Sequence, residues 1–441
     1  MNSLRLFDIN GISHILRFML RFNHSIINDF SIRAAALLLL ICSQTRFIGQ
    51  QAGSGSSSRG TTIWPVVVRP AVVPAGAAVK MRYTWKAVKP TKTPFKAFVH
   101  IIDDQRRMVL QDDHTPPIGT STPGWQGTIT YERCLVVPGH INDGQYRIVM
   151  GLYQESGRAP LTAGQGVSSL GGDSYQVGAL KIDSHAPWPP ADTDQTPSLD
   201  LSGFHLRFRE EFDEPLDVSA WGSGTRWIAH TPWAGDFGDA RFADPDSNFP
   251  FTIKDGILRI EARKDETGKS GLLASNDPLG KGFSQQYGYF EMRAKLPPGP
   301  GVWPAFWLCS SYNRKDKTAG RDGSVEIDVF EYYGRTPSSF AATIHVWHPQ
   351  PHCSEGSIIT TKPHEVSTGF HNYGCLVDPQ WITMYFDGIK VWQSKTPPEH
   401  NKPLMLLLNL ALGPGWPIDK TPNPSVMEVD YVRVYAKTES K

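Results

Sequence analysis

Three carboxylates lie close together in the segment 325–331, which reads Val-Glu-Ile-Asp-Val-Phe-Glu. Acidic residues are weak strand formers, but the β-branched and aromatic residues around Glu326, Asp328 and Glu331 favour a strand. Carboxyl groups held in different protonation states can serve as nucleophile and as general acid/base. The pattern therefore predicts a catalytic strand, and a solvated acidic surface strand is the alternative.

The spacing of these carboxylates also predicts an irregular backbone. Side chains alternate between the two faces of a strand, so a regular strand places Glu326 and Asp328 on one face and sends Glu331 into the core. Burying an unpaired carboxylate costs several kcal/mol, which disfavours that arrangement. We expect a β-bulge, one extra residue near Val329 and Phe330, that returns Glu331 to the face of the other carboxylates.

The spacing Glu-x-Asp-x-x-Glu of these residues resembles the catalytic strand of glycoside hydrolase family 16, the laminarinase-like β-jelly rolls. Other segments match the family in the expected order: QYGYFEMRAKLP at 286–297, GVWPAFWL at 301–308 and MEVDYVRVY at 427–435. The resemblance covers about residues 204–437. It implies an all-β, concanavalin-like jelly-roll sandwich that hydrolyses glycosidic bonds.

The resemblance assigns a role to each carboxylate. Glu326 is the expected nucleophile and Glu331 the expected general acid/base. Asp328 lies between them, where its charge favours the protonated form of Glu331. The family retains the anomeric configuration, which requires carboxyl groups about 5–5.5 Å apart. The hydrolysis itself needs no cofactor.

Aromatic residues near the strand are candidates for binding sugar, because flat rings stack on the apolar C–H faces of pyranoses. The family places tryptophans near the cleft at the positions of Trp303 and Trp307, which are therefore candidate substrate contacts. His345 and Trp347 resemble residues of the strand adjacent to the catalytic one. Core packing is the alternative for these side chains.

Two long loops depart from the minimal family pattern, namely residues 227–245, which contain Trp233, and residues 310–323. Long ordered loops usually carry function, so we expect Trp233 to contact substrate and both loops to set specificity. Because of this departure, the resemblance does not identify which polysaccharide is the substrate.

The first expectation for the substrate is a glucan or a bacterial exopolysaccharide with β-1,3 and/or β-1,4 linkages, cleaved internally by double displacement. A galactan such as agarose or carrageenan is a second possibility, and transglycosylation a third. Plant-type transglycosylases of the family lack the extra bulge residue, which argues against the third. A polysaccharide-binding protein without activity is the remaining alternative, although binding alone does not require three carboxylates.

Many members of the family bind a structural Ca²⁺ on the convex side, and this ion prefers oxygen ligands. By resemblance, Glu211, Asp430 and the backbone carbonyl of Gly256 occupy the matching positions. The resemblance thus predicts a possible Ca²⁺ site there, and an acidic pocket without metal is the alternative.

The chain divides into four parts by composition. Residues 1–60 read as a targeting segment followed by a Gly/Ser-rich flexible linker. The apolar run 34–42 has the length of a signal-peptide core and is too short for the ~20 residues that span a bilayer. We therefore expect a secreted or periplasmic protein without a stable membrane span.

Residues 61–184 are predicted to form a small immunoglobulin-like β-sandwich, because alternating strands are separated by Pro and Gly turns. A Pro-rich linker at 185–203 leads to the catalytic jelly roll at 204–438. The acidic residues near positions 103 and 112 could hold a cation, but turns with local hydrogen bonds explain them as well.

The chain has 44 Lys and Arg against 43 Asp and Glu, a net charge of +1. This balance gives no reason to expect a nucleic-acid partner. The expected partner is the polysaccharide substrate, and the protein is expected to be a monomer. The five cysteines show no CxxC metal pattern. Cys353 and Cys375 could pair in an oxidising compartment or remain separate thiols.

Overall fold

The computed structural model describes residues 60–88, 95–116, 125–222, 224–264, 268–311, 324–349, 352–415 and 417–438. The predicted targeting run at 34–42 lies outside these residues. Within the described ranges, no helix combines the length and apolar character that crossing a membrane requires.

The first part of the described chain contains only strands. They are β1 (Thr61–Ile63), β2 (Val67–Arg69), β3 (Val72–Val73), β4 (Ala78–Ala87), β5 (Lys96–Ile102), β6 (Met108–Gln111), β7 (Gly127–Val136), β8 (Gly144–Gln154), β9 (Gly157–Ala159), β10 (Thr162–Ala163), β11 (Ser168–Gly171) and β12 (Ser174–Ile182).

These strands form two sheets around one core. One sheet has the order β10-β1-β4-β2, with β7 also paired to β4, and the other has the order β11-β12-β8-β5-β6, with β3 and β9 at its margins. Alternating apolar residues of β4, such as Tyr83 and Trp85, are completely buried between the sheets. The part is a β-sandwich, and its immunoglobulin-like character and the domain boundaries stay predictions.

In the described residues the second part contains eighteen strands, one short α-helix, α1 (Glu365–Thr368), and one 3-10 helix (Pro398–His400). The strands are β13 (Phe204–Glu210), β14 (Val218–Ser219), β15 (Trp227–Ile228), β16 (Arg241–Phe242), β17 (Phe251–Lys254), β18 (Ile257–Ala262), β19 (Lys269–Ser270), β20 (Leu272–Ala274), β21 (Gly288–Lys295), β22 (Val302–Ser310), β23 (Val325–Glu331), β24 (Ser339–Val346), β25 (Cys353–Thr360), β26 (His371–Val377), β27 (Trp381–Phe386), β28 (Ile389–Lys395), β29 (Leu404–Leu412) and β30 (Ser425–Lys437).

Two eight-stranded sheets dominate this part. The sheet that carries the three carboxylates, which we call the site sheet, has the order β14-β15-β20-β29-β22-β23-β24-β25. The other sheet has the order β17-β18-β30-β21-β26-β27-β28, and β13 also pairs with β30. A single hydrophobic cluster joins the two, and every residue of β29 is buried. The predicted all-β class is confirmed.

The first part contacts the loop that follows β23. Ser338 Oγ donates a 2.7 Å hydrogen bond to the carbonyl oxygen of Gly76. The linker also contacts the site sheet, because Asp192 exchanges hydrogen bonds with the backbone and hydroxyl of Thr360 at 2.8–3.0 Å. Asp192 in turn accepts from Lys80 Nζ at 3.1 Å. The Pro-rich linker is therefore anchored to both parts.

The cysteines are free thiols where the structure describes them. Cys353 is exposed at the start of β25, whereas Cys375 is fully buried in β26. The disulfide that the sequence left open between these two residues does not form. Burial raises the pKa of the Cys375 thiol, so this residue behaves as a small apolar side chain.

Candidate active site

The bulge in β23 is present where the sequence predicts it. Opposite β24, Asp328 pairs with Thr343 and Glu331 with Ala341, so three residues of β23 advance against two of the partner. Opposite β22, the register shifts at the same place, between the partners of Phe306 and Trp307. One extra residue on one strand of an antiparallel pair is the definition of a β-bulge.

The bulge separates an apolar side chain from an acidic one. Phe330 is completely buried, and its ring lies 4.3 Å from the ring of Tyr373 on the opposite sheet. Glu331 remains partly accessible, on the face where Glu326 and Asp328 lie with 5% exposure each. The extra residue thus keeps the hydrophobic side of the strand intact and gathers three carboxylates on the other side.

Two tryptophan indoles hydrogen-bond the two glutamates. Trp347 Nε1 donates to Glu326 Oε2 at 3.1 Å, and Trp303 Nε1 donates to Glu331 Oε1 at 3.1 Å. Both rings are only partly buried. The two tryptophans therefore orient the carboxyl groups and border the site, and their contact with substrate stays a prediction.

His345 joins the group through the register of β24. It lies directly opposite Glu326, and its Nε2 is 3.1 Å from Asp328 Oδ2, a diagonal neighbour across the strands. One polar atom from each of these three residues lies within 4.8 Å of the others. An ionised carboxylate only accepts hydrogen bonds, so His345 Nε2–H donates to Asp328.

His352 is a site residue that the sequence reasoning did not identify. Its Nε2 is 3.0 Å from His345 Nδ1, and its ring stacks on Trp347 with centroids 4.0 Å apart and planes 12° from parallel. The signal was the hairpin between β24 and β25, in which Val346 faces Cys353. Continuing that register places Trp347 opposite His352.

Trp307 and Trp233 pack against each other. Trp307 lies on the carboxylate face of β22 but is only 4% exposed. Its Nε1 donates to Asn409 Oδ1 at 2.8 Å, and its ring packs edge-on against Trp233 at 6.0 Å and Phe237 at 5.8 Å. Trp307 thus lies beneath the carboxylate face, and the loop 227–245 packs against it through Trp233 and Phe237. Contact of Trp233 with substrate stays a prediction.

Asn409 is a second residue that sequence reasoning missed. It is the polar residue in the otherwise apolar strand β29, and it is 2% exposed. A lone polar residue in such a strand indicates a buried hydrogen bond, and that signal was available in the run Leu-Met-Leu-Leu-Leu-Asn-Leu.

The predicted specificity loop at 310–323 lies outside the described residues from position 312 onward.

His400 lies beneath β23 and is completely buried. Its Nε2 is 3.5 Å from the backbone oxygen of Glu326, and its Nδ1 has no hydrogen-bond partner in the described structure. Burial is the main cause that lowers the pKa of His400 to about 4, and the nearby His345 lowers it further. The imidazole is therefore neutral at physiological pH.

The three residues predicted to bind calcium do not form a fitting set as they are placed. Glu211 accepts from Arg433 Nε at 2.9 Å and Nη2 at 2.8 Å, and this hydrogen bonding lowers the pKa of Glu211. Asp430 lies 3.4 Å from Arg293 Nη1, and Gly256 forms the turn between β17 and β18. A carboxylate held at both oxygens by a guanidinium is a poor Ca²⁺ ligand.

The model for glycosyl hydrolases family 16 matches residues 247–433 of the chain. The chain is 35% identical over 266 residues to the endo-1,3-1,4-beta-glycanase EglC of Rhizobium meliloti (strain 1021). This match covers 54% of this chain and 53% of that protein. The chain is 32% identical over 198 residues to a beta-glucanase of Rhodothermus marinus, and that match covers 41% of this chain and 68% of that protein. The chain therefore spans about half the length of EglC and about two thirds of the beta-glucanase.

Among solved structures, the chain is similar to the catalytic domain of an endo-1,3-beta-glucanase (laminarinase) from Thermotoga petrophila RKU-1. That similarity has a TM-score of 0.44 at 25% identity and covers 54% of this chain and 99% of the other. The matched family segment contains β22, β23 and β24 and therefore all three carboxylates. Together with the two packed sheets, it confirms the predicted jelly-roll class, and the chain belongs to glycosyl hydrolases family 16.

Proposed function

We propose that the chain is a retaining endo-β-glycanase that cleaves β-1,3 and/or β-1,4 linkages in a polysaccharide. The observation that carries this proposal is the bulge in β23, because it brings Glu331 to the face of Glu326 and Asp328. Two carboxyl groups on one face, each fixed by an indole N–H, are the groups that double displacement at an anomeric carbon requires.

In the first step the Glu326 carboxylate attacks the anomeric carbon while Glu331 gives its proton to the departing glycosidic oxygen. Trp303 donates to Oε1 of Glu331 and thereby orients the carboxyl group that carries this proton. Trp347 donates to Oε2 of Glu326 and thereby orients the carboxylate that attacks. The products are a glycosyl ester on Glu326 and the released end of the polymer.

In the second step Glu331, now a carboxylate, takes a proton from water. The resulting hydroxide attacks the same anomeric carbon from the face that the first leaving group vacated. Glu326 departs as a carboxylate, and two inversions give net retention. Asp328 contributes negative charge beside both glutamates, which favours return of the proton to Glu331 for the next cycle.

We propose a β-glucan with β-1,3 or mixed β-1,3 and β-1,4 linkages as the substrate class. The printed names of EglC and of the Rhodothermus marinus protein, an endo-1,3-1,4-beta-glycanase and a beta-glucanase, support this choice. Trp303 and Trp347 border the carboxylates and are partly exposed, and partly exposed indole rings can stack on the apolar faces of pyranoses. A bacterial exopolysaccharide with the same linkages fits these contacts equally well.

A polysaccharide panel tests the proposal. The panel contains laminarin, mixed-linkage β-glucan, an exopolysaccharide, agarose and carrageenan, and new reducing ends are measured for the wild type and for Glu326→Gln. Glu155→Gln, the same chemical change at an exposed position of the first part, is the matched control. We expect activity of the wild type and the control on a β-glucan or the exopolysaccharide and none in Glu326→Gln. Equal activity of Glu326→Gln, or activity confined to a galactan, would contradict the proposal.

We further propose that the protein is exported, on the basis of the apolar run at 34–42. Mass spectrometry of protein recovered from the culture medium and from the periplasm tests this. Recovery there of a chain shortened at its N-terminal end is the expected result, and full-length protein confined to the cytoplasm would contradict it.

A further inference from the structure

The side chains of Asp328, His345 and His352 form a continuous line across three neighbouring strands of the site sheet. His345 Nε2 is 3.1 Å from Asp328 Oδ2, and His345 Nδ1 is 3.0 Å from His352 Nε2. The line arises from two diagonal relations, one from β23 to β24 and one from β24 to the residue just before β25. Both ring nitrogens of His345 are therefore engaged.

The chemistry of the line determines where the protons lie. Ionised Asp328 only accepts, so His345 carries its proton on Nε2 and its Nδ1 is an acceptor when the ring is neutral. His352 Nε2–H supplies the matching donor. A ring bonded at one nitrogen can still swing about its χ2 torsion, whereas a ring bonded at both nitrogens is held in one orientation.

The His352 imidazole also contacts Trp347, the residue that donates a hydrogen bond to Glu326. The rings of His345, Trp347 and His352 are mutually stacked, with planes 9–17° apart. Trp347 is the donor to Glu326, and His345 is the donor to Asp328. His352 therefore lies behind both the partner of Asp328 and the partner of the nucleophile, and it contacts each of them.

We propose that His352 is a positioning residue of the reaction: its Nε2–H bond to His345 holds the His345 imidazole on Asp328 and thereby fixes the charge between the two catalytic glutamates. The role rests on the proposed hydrolysis, but the geometry it describes exists without substrate. The hydrogen bond and the stack make different demands on the side chain, so two substitutions separate them.

His352→Gln keeps an N–H donor at the position of Nε2 and removes the aromatic ring. His352→Phe keeps a flat ring against Trp347 and removes the donor. We expect His352→Phe to lower kcat about 10- to 100-fold with little change in KM, because a small misplacement of catalytic groups has an effect of this size. We expect His352→Gln to keep kcat close to the wild-type value. His140→Gln, at an exposed position, is the matched control.

The second readout is NMR of the ¹⁵N-labelled protein without substrate. The His345 Nε2–H proton, bonded to Asp328, gives a downfield resonance that exchanges slowly with water in the wild type. We expect His352→Gln to retain this resonance and His352→Phe to lose it, with the thermal unfolding midpoint of each variant measured in parallel.

Retention of both the resonance and kcat in His352→Phe would overturn the proposal. Loss of the resonance in His352→Gln would also overturn it, because a donor alone would then be insufficient. The NMR result stands by itself if the polysaccharide panel fails, so failure of the proposed hydrolysis and failure of this positioning role are distinguishable.

Discussion

Two buried polar clusters, one in each part of the molecule, solve the problem of a buried carboxylate in different ways. In the first part, Arg133 donates to Asp112 through Nε at 3.0 Å and Nη2 at 2.7 Å, and Tyr83 OH adds a third bond at 3.0 Å. In the second part, the neutral indoles of Trp347 and Trp303 donate hydrogen bonds to Glu326 and Glu331. A matched guanidinium stabilises a charge permanently, whereas a neutral donor leaves a carboxyl group able to change its protonation state.

The buried histidines of the two parts show the same contrast. His114 has a partner at each ring nitrogen, the carbonyl of Asp112 at 2.7 Å and Tyr131 OH at 2.9 Å. His400, below β23, has no partner at Nδ1 in the described structure. Burial is the first cause of a lowered pKa in both. The first cluster is satisfied internally, as a structural cluster should be, and the second keeps a cost in stability beside the chemistry.

The largest expected effect is on Glu331, the acid/base residue of the proposed mechanism. Glu331→Gln removes the proton that the leaving oxygen needs, and we expect kcat on polysaccharide to fall about 10²- to 10⁴-fold. An aryl β-glycoside whose phenolate leaves without protonation should lose far less in the release of phenolate. Glu155→Gln is the control, and burst-phase release of the phenol is the measurement. An equal loss on both substrates would contradict the claim that Glu331 changes its protonation state during the reaction, because Glu331 would then act only structurally.

His400 should make the second part sensitive to acid. Its pKa is about 4 in the folded protein and ~6.5 in the unfolded chain, so the unfolded state binds more protons between these values. Stability is therefore lost as the pH falls from about 6.5 toward 4, by roughly 3 kcal/mol from this residue. We expect His400→Leu to remove that loss, measured by urea unfolding at pH 7 and pH 4.

The control for the histidine experiment is His140→Gln, which changes an exposed imidazole. The wild type and the control should lose stability in parallel as the pH falls, and His400→Leu should lose less. Parallel curves for all three proteins would show that the pKa of His400 does not differ between the folded and unfolded states.

The guanidinium of the first cluster should matter for stability alone. Arg133→Met leaves Asp112 buried without its cation, and we expect a loss of about 2 kcal/mol. This is below the ~3–5 kcal/mol of a fully buried pair, because the Arg133 side chain is 35% exposed. Urea unfolding measures the loss, and adding Asp112→Asn should recover part of it. A fall in kcat per folded molecule would contradict a purely structural role.

The smallest expected effect concerns calcium. Because Arg433 holds both oxygens of Glu211, adding Ca²⁺ or a chelator should leave the thermal unfolding midpoint unchanged. Arg433→Gln is the informative companion, since it frees the carboxylate for an ion. A clear rise of the midpoint with Ca²⁺ in the wild type would restore the metal site that the resemblance predicts.

The sequence predicted what depends on neighbours along one strand. The bulge follows from the alternation of β23 and the cost of burying Glu331, and both are readable from seven consecutive residues. The roles of His352 and Asn409 depend instead on the registers of β24 with β25 and of β22 with β29. The pairing of Glu211 with Arg433 joins residues 222 positions apart, so composition and spacing could not show it.

The central claim is that the bulge places Glu326 and Glu331 on one face as a retaining pair. Proton NMR of the first product formed from a β-glucan tests this most directly, because the anomeric doublet of the new reducing end appears before mutarotation. We predict that the β-anomer forms first and that the α-anomer grows in later. Initial formation of the α-anomer would contradict the claim, since it would rule out Glu326 as a nucleophile.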